Sequence, residues 1–122
     1  MLHISSIADI PPDMSAPSVL VPTMGALHDG HASLIRAARE IAGESGSVLV
    51  SIFLNPLQFD RPGDLADYPR TLEADLALCE EFGAAAVFAP SSTEFYAADH
   101  SVMVSETLLS RNLCGATRPG HF

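Results

Sequence analysis

The hydrophobic positions along the chain fall into short apolar runs separated by one clearly amphipathic stretch. The runs Val19–Val21, Ser47–Leu54 and Ala84–Ala89 are apolar or β-branched and are bounded by glycine or proline, which is typical of buried strands. Such runs, alternating with helices, predict an α/β fold whose parallel strands are joined by right-handed crossovers. Between the first two runs, the pattern changes at His31 to helical spacing, which continues until Gly43 stops it: Leu34, Ile35, Ala38, Ile41 and Ala42.

A second helix follows a polar segment. Residues Asp60–Arg70 are polar and contain proline and glycine, so we expect a loop that can cover a site. Thr71 is expected to cap the next helix, which ends at Gly83, and the acidic residues Glu73 and Asp75 complement its first turn. The apolar face of this helix consists of Leu72, Leu76, Leu78, Cys79 and Phe82.

The two ends of the chain are less regular. Residues 2–17 are interpreted as a helical turn or irregular lead-in followed by a loop, and Ser91–His100 as a polar loop. Val102–Val104 is expected to form a short strand and Thr107–Leu113 a short helix. The whole chain, residues 1–122, is therefore predicted to be one Rossmann-like domain, a βαβαβ half of a doubly wound parallel sheet with flanking helices.

Composition and charge narrow the possible partners. The chain is 48% hydrophobic and 17% charged, as expected of a globular domain, and its net charge of −9 argues against nucleic acid or an anionic membrane as a partner. No apolar run approaches the roughly 20 residues that span a bilayer, and no signal segment follows Met1, so a cytoplasmic protein is expected. Cys79 lies on a predicted apolar face and is expected to be a core residue, whereas the role of Cys114 stays open.

Two histidines lie where the first strand turns into the first helix. A helix N-terminus attracts phosphate, and imidazoles at His28 and His31 could donate hydrogen bonds to a triphosphate. Gly25 and Gly30 would let the backbone approach a ligand closely. Histidines at this spacing also occur by chance, or as half of a zinc site, although no other histidine or cysteine shows paired spacing. The chain contains no lysine, which excludes a P-loop.

Asn55 and Gln58 come directly after the second predicted strand. Ligands of open α/β sheets bind beyond the carboxyl ends of strands, so these two side chains are placed to hydrogen-bond a polar ligand beside the histidines. The alternative is a simple turn that Asn55 caps and Pro56 starts.

Four segments together resemble one enzyme family. Pro22–His31 (Pro-Thr-Met-Gly-Ala-Leu-His-Asp-Gly-His) is similar to the signature of the pantothenate synthetases (pantoate–β-alanine ligases), which carry the His-x-Gly-His motif of the nucleotidyltransferase superfamily. Asn55–Phe59, Tyr68–Leu72 and Arg118–Phe122 also resemble segments of that family. The resemblance covers nearly all of this sequence but only the N-terminal part of a family member. It implies that the C-terminal domain of the family is absent here.

The resemblance also implies roles for individual residues. It assigns catalysis to His28 and His31 and a magnesium ligand to Asp75. It implies that pantoate and β-alanine are bound by Pro22, Thr23, Met24, Asn55, Gln58, Tyr68 and Arg118. It implies that ATP is bound by Met24, Gly25, Ala26, Leu27, His28, Asp29, Gly30 and His31.

The activity implied is an ATP- and Mg²⁺-dependent ligation. ATP and pantoate form pantoyl adenylate and pyrophosphate, and the amine of β-alanine then displaces AMP to give pantothenate. Family members also use a downstream lysine–aspartate segment, so we expect the 122 residues alone to be inactive or nearly so. By analogy the chain would form a homodimer. The alternatives are another nucleotidyltransferase, such as a cytidylyl- or adenylyltransferase, a non-catalytic nucleotide-binding or dimerisation module, and a zinc protein.

Overall fold

A four-stranded parallel sheet forms the centre of the protein, seen here in a computed structural model that describes residues 1–12, 14, 17–59, 62–96 and 98–118. In chain order the strands are β1 (Leu2–Ile4), β2 (Ser18–Thr23), β3 (Ser47–Ile52) and β4 (Ala86–Phe88). Their order across the sheet is β1-β4-β3-β2, and all three neighbouring pairs are parallel. Each parallel pair needs a long connection, and helices supply the two between β2 and β4.

Two helices cover one face of the sheet. Helix α1 (Asp29–Ala42) connects β2 to β3, and α3 (Leu72–Glu81) precedes β4. Side chains alternate along each strand, so one set from β2, β3 and β4 meets these helices. The resulting core contains Val21, Ile35, Ala38, Ala42, Val48, Val50, Cys79, Ala84 and Val87.

The other face of the sheet is only partly covered by the described residues. Ile4, Ala86 and Phe88 form a small buried cluster near β1, with Ile10, Met14 and Leu49 packed against it. Towards β2 the cover ends, and Leu20 is 56% exposed. This partly open face, beside the carboxyl ends of the strands, has room for a ligand.

The remaining elements are short. They are the α-helices α2 (Pro62–Asp67), α4 (Ser92–Phe95) and α5 (Cys114–Thr117), and 3₁₀ turns at Ile7–Asp9, Pro56–Gln58 and Leu109–Arg111. Within the described part of the chain, no helix is long and apolar enough to cross a membrane.

The predicted α/β class, the three central strands and the two long helices are confirmed, with different ends. Strand β2 is longer than predicted at both ends. Strand β3 ends two residues earlier than predicted, and β4 begins two residues later and ends one residue earlier. The first helix begins at Asp29 rather than at His31, since His28 already acts as its N-cap. Two apolar residues expected on its buried face, Leu34 and Ile41, are 54% and 71% exposed because they lie about 100° and about 120° around the helix from Ile35.

Several predictions for the less regular segments were wrong. The lead-in contains the expected helical turn, at Ile7–Asp9, but it also contains strand β1, which pairs with β4 and could not be recognised from three residues alone. The predicted loop Asp60–Arg70 contains helix α2, and the first two residues of that predicted loop, 60 and 61, lie outside the described part. Val102–Val104 is exposed and forms no strand, since it pairs with none of the described strands. The helix expected at Thr107–Leu113 is replaced by the 3₁₀ turn Leu109–Arg111, and α5 begins just after the predicted segment, at Cys114.

Candidate functional site

The segment that leaves β2 turns sharply before α1 begins. The hydroxyl of Thr23 donates to the carbonyl oxygen of Ser51 at 2.8 Å and accepts from the backbone N–H of Gly25 at 3.2 Å, which ties the turn to β3. Gly25 has φ +84° and Ala26 has φ +51°. The left-handed conformation is ordinary for glycine but costs free energy at alanine, so interactions elsewhere must hold Ala26 there.

The side chain that holds this turn comes from α3. The carboxylate of Asp75 accepts the backbone N–H of Ala26 at 3.0 Å and that of Leu27 at 2.8 Å. It also accepts the hydroxyl of Thr71 at 3.2 Å, and the residue is only 3% exposed. Thr71 occupies the predicted N-cap position, but its side chain binds Asp75 instead of capping α3. Asp75 was expected to complement the first turn of α3, and in the structure its buried carboxylate holds the turn that follows β2.

The two histidines cap the start of α1 reciprocally. The backbone N–H of Gly30 donates to Nδ1 of His28 at 3.1 Å, and the backbone N–H of His28 donates to Nδ1 of His31 at 3.3 Å. The ring centroids are 4.2 Å apart. A neutral imidazole has one acceptor nitrogen and one N–H, so the hydrogen-bond network assigns the proton of each ring to Nε2. Both distal N–H groups are therefore donors.

Charge and crowding preserve this arrangement. Partial burial, and then the neighbouring imidazole of His28, lower the pKa of His31 from its ordinary value, against an opposing effect of Asp75, and this favours the neutral ring. A Cβ at Gly30 would lie 2.8 Å from Cε1 of His28, so only glycine leaves room for that ring. The spacing of the His-x-Gly-His motif thus has a structural reason as well as a chemical one.

A cavity of about 770 Å³ lies beside this turn, over the partly open face of the sheet. The structure brings most of the residues predicted to bind pantoate and β-alanine to its wall, together with one histidine: Pro22, Thr23, Met24, His31, Asn55, Gln58 and Tyr68. Its apolar wall includes Leu20, Leu49, Phe53, Phe88 and Phe95. An apolar cavity with a few convergent polar groups is the usual form of a small-molecule site.

The other predicted site residues do not line this cavity. Arg118 donates to the carbonyl oxygen of Gln58 at 3.1 Å, so the last described residue reaches the segment after β3. Met24 and Gly25, with Asp75, also line a smaller cavity of about 210 Å³. The remaining residues predicted to bind ATP belong to the turn and the first turn of α1: Ala26, Leu27, His28, Asp29 and Gly30. Residues 119–122, which belong to the Arg118–Phe122 resemblance, lie outside the described residues.

The segment after β3 combines both interpretations of its sequence. Asn55 caps the 3₁₀ turn Pro56–Gln58 by accepting the backbone N–H of Leu57 at 3.1 Å, as the simple-turn interpretation expected. It lines the cavity as well. Sequence reasoning missed the aromatic wall at Phe53, Phe88 and Phe95, and it missed Tyr96, whose hydroxyl bonds to Asn55. The available signal was that Phe53 and Phe88 lie next to the ends of predicted strands, and no such signal marked the other two aromatic residues.

The surroundings of Asp75 do not fit a magnesium ligand. Both of its carboxylate oxygens accept hydrogen bonds from N–H or O–H donors of the protein. A hard cation such as Mg²⁺ is bound by oxygen atoms, and here donor groups already occupy the oxygens of Asp75. Across the described ranges, no three histidine, cysteine, aspartate or glutamate side chains are grouped so as to hold a metal. A magnesium ligand at Asp75 stays a prediction of the resemblance.

The parallel sheet, the helix N-terminus capped by two imidazoles and the adjoining cavity define a Rossmann-like domain of the nucleotidyltransferase type. A family model described as pantoate-beta-alanine ligase matches residues 6–122. The chain therefore belongs to the pantoate–β-alanine ligase family.

Relatives and solved structures agree with this assignment. The chain is 56% identical over 104 residues to the pantothenate synthetase of Akkermansia muciniphila, covering 85% of this chain and 37% of that protein. It is 57% identical over 104 residues to the Streptomyces avermitilis pantothenate synthetase, covering 84% and 31%. The crystal structure of pantothenate synthetase from Thermus thermophilus superposes with a TM-score of 0.87 at 40% identity, covering 100% of this chain and 44% of that one.

A further structure, the pantoate-beta-alanine ligase of Francisella tularensis complexed with beta-gamma ATP and beta-alanine, has a TM-score of 0.83 at 33% identity. The matched region covers 48% of that structure's chain and 99% of this chain. The chain thus spans about a third of the length of the curated relatives it matches.

Proposed function

We propose that this chain carries the nucleotide- and pantoate-binding part of an ATP-dependent ligase that joins pantoate to β-alanine. The observation that carries the proposal is the reciprocal cap at the start of α1. It leaves Nε2–H of His28 and of His31 as donors beside a helix N-terminus, next to the cavity that His31 lines. Phosphate oxygens are acceptors that match these donors and the positive end of the helix dipole.

The proposed reaction has two steps. A carboxylate oxygen of pantoate bonds to the α-phosphorus of ATP, and the bond from that phosphorus to the oxygen of the leaving pyrophosphate breaks. The amine nitrogen of β-alanine then bonds to the carbonyl carbon of pantoyl adenylate, AMP leaves with the bridging oxygen, and the amine loses a proton. His28 and His31 hydrogen-bond the phosphates as negative charge develops, while Asn55 and Gln58 orient pantoate. Tyr68 and Arg118 complete the pantoate side of the site.

Electrostatics support local rather than global recognition of these anions. The net charge of −9 repels ATP and pantoate at long range, so binding depends on the imidazole and helix donors. Mg²⁺ enters the proposal as the companion of ATP, and no step is routed through a protein ligand for it. The lysine–aspartate segment of the family has no counterpart in these 122 residues, because they include no lysine. We therefore propose that the chain binds substrates but releases little pyrophosphate.

The test is calorimetric titration of Mg·ATP into the 122-residue chain and into His31→Asn. Asparagine keeps an acceptor where Nδ1 lies, so the cap can persist while the distal donor is lost. We expect the affinity for Mg·ATP to fall roughly 10- to 100-fold, the value of a hydrogen bond to a charged group. His3→Asn, at an exposed position of β1, is the matched control and should bind like the unchanged chain.

Equal affinities in all three chains would refute a nucleotide role for His31. Pantoate-dependent release of pyrophosphate, measured on the same chain, addresses the second part of the proposal. A non-catalytic nucleotide-binding module would bind Mg·ATP but show no affinity for pantoate. Rapid pyrophosphate release would contradict the expectation that these residues alone turn over little substrate.

A further inference from the structure

We propose that Tyr96 is a positioning residue that, together with the backbone N–H of Leu57, holds the Asn55 side-chain amide so that its N–H donors face the substrate cavity. The hydroxyl of Tyr96 donates to Oδ1 of Asn55 at 3.0 Å, across 41 positions of sequence. Tyr96 lies outside the described wall of the large cavity, whereas Asn55 is part of that wall. The inference rests on the proposed function only for the identity of the ligand.

The hydrogen bonds decide which way the amide is turned. Oδ1 of Asn55 also accepts the backbone N–H of Leu57 at 3.1 Å. A backbone N–H can only donate, so the atom facing Leu57 must be the oxygen, and Nδ2 must lie on the other side of the amide. The tyrosine hydroxyl strengthens this choice because Oδ1 then accepts two donors at once. A turned amide would leave the backbone N–H of Leu57 facing an NH₂ group.

Aromatic packing keeps the tyrosine hydroxyl in place. The ring of Tyr96 packs edge-on against Phe95 with centroids 5.3 Å apart and lies 5.9 Å from the ring of Phe53. Phe95 in turn stacks on Phe53 at 4.3 Å. Phe53 and Asn55 leave β3 together, so this three-ring cluster connects helix α4 to the segment that carries Asn55.

The consequence is a preference for acceptor atoms in the ligand. With Nδ2 on the cavity side, Asn55 offers two N–H donors to a carboxylate or hydroxyl oxygen, and pantoate has both groups. The opposite orientation would present Oδ1, which repels a carboxylate. Tyr96 therefore influences ligand choice through Asn55 without touching the ligand.

The experiment compares Tyr96→Phe with Thr93→Val, which removes an exposed hydroxyl from helix α4, the helix that Tyr96 directly follows. The first measurement is the pair of Asn55 side-chain amide resonances by NMR. We expect them to shift or broaden in Tyr96→Phe and to stay unchanged in Thr93→Val. The second is calorimetric titration with pantoate, for which Tyr96→Phe should weaken binding roughly 3- to 10-fold while the affinity for Mg·ATP is unchanged.

A double-mutant comparison separates positioning from packing. If Tyr96 acts through Asn55, adding Tyr96→Phe to Asn55→Ala should weaken pantoate binding no further. Additive losses, or Asn55 resonances that Tyr96→Phe leaves unmoved, would overturn the inference. If the resonances move as expected but the unchanged chain does not bind pantoate, the positioning stands and the proposed substrate is wrong.

Discussion

Replacing Asp75 by asparagine should loosen the turn that precedes the histidines. The carboxylate receives three donors, from the backbone of Ala26 and Leu27 and from the hydroxyl of Thr71. Asparagine has one acceptor oxygen. That oxygen should remain where Leu27 and Thr71 both donate, so the new NH₂ group would face the N–H of Ala26 at the former 3.0 Å contact.

The cost follows from burial and charge. A buried N–H left without an acceptor costs about 1–3 kcal/mol, and the remaining bonds weaken because their acceptor is no longer charged. Relief of carboxylate desolvation offsets part of this loss, so we expect the free energy of unfolding to fall by about 2–4 kcal/mol. At about 4 °C per kcal/mol for a chain of this size, the melting temperature should fall by about 8–16 °C.

Thermal unfolding followed by circular dichroism measures this effect. Glu73→Gln is the matched control, since it makes the same chemical change at an exposed position of α3 and should stay within about 0.5 kcal/mol of the unchanged chain. Thr71→Val should lie between the two, because it removes only the 3.2 Å bond. If Asp75→Asn has the same melting temperature as Glu73→Gln, the carboxylate does not hold the turn.

Three further outcomes follow from the same site. Gly30→Ala should weaken Mg·ATP binding, measured by calorimetry, because the new Cβ displaces the ring of His28. It should not lower the melting temperature, because alanine favours the helix more than glycine does. Because folding lowers the pKa of His31 from 6.5, the unfolded chain binds a proton on this imidazole more readily than the folded chain does. The free energy of unfolding should therefore fall as the pH drops below 6.5 and stay level above it. Urea titrations at several pH values should show that the contribution of His31 to this pH dependence is lost in His31→Asn. Burial, and then a nearby carboxylate, raise the pKa of Cys79 to about 11, so a thiol reagent should modify exposed Cys114 at once and Cys79 only on unfolding.

The central part of the fold was predictable because its signals are local. Apolar runs bounded by glycine and proline identified β2, β3 and β4, and helical spacing identified α1. Strand β1 has three residues, two of them exposed, and exists only because β4 pairs with it. Exposed Leu34 and Ile41 show the converse, since apolar spacing indicates a helix face but not how wide the part covered by the sheet is.

The sequence by itself determined which residues gather at the carboxyl end of the sheet, because strand, turn and helix start are adjacent in the chain. It placed His28, His31 and Asn55 at that edge. Only the tertiary structure decided what their neighbours do. Asp75 reaches the turn from a separate helix, and the hydroxyl of Tyr96 reaches Asn55 from 41 residues away. Such contacts depend on how the helices pack across the sheet, and no local pattern of hydrophobic and polar residues encodes them.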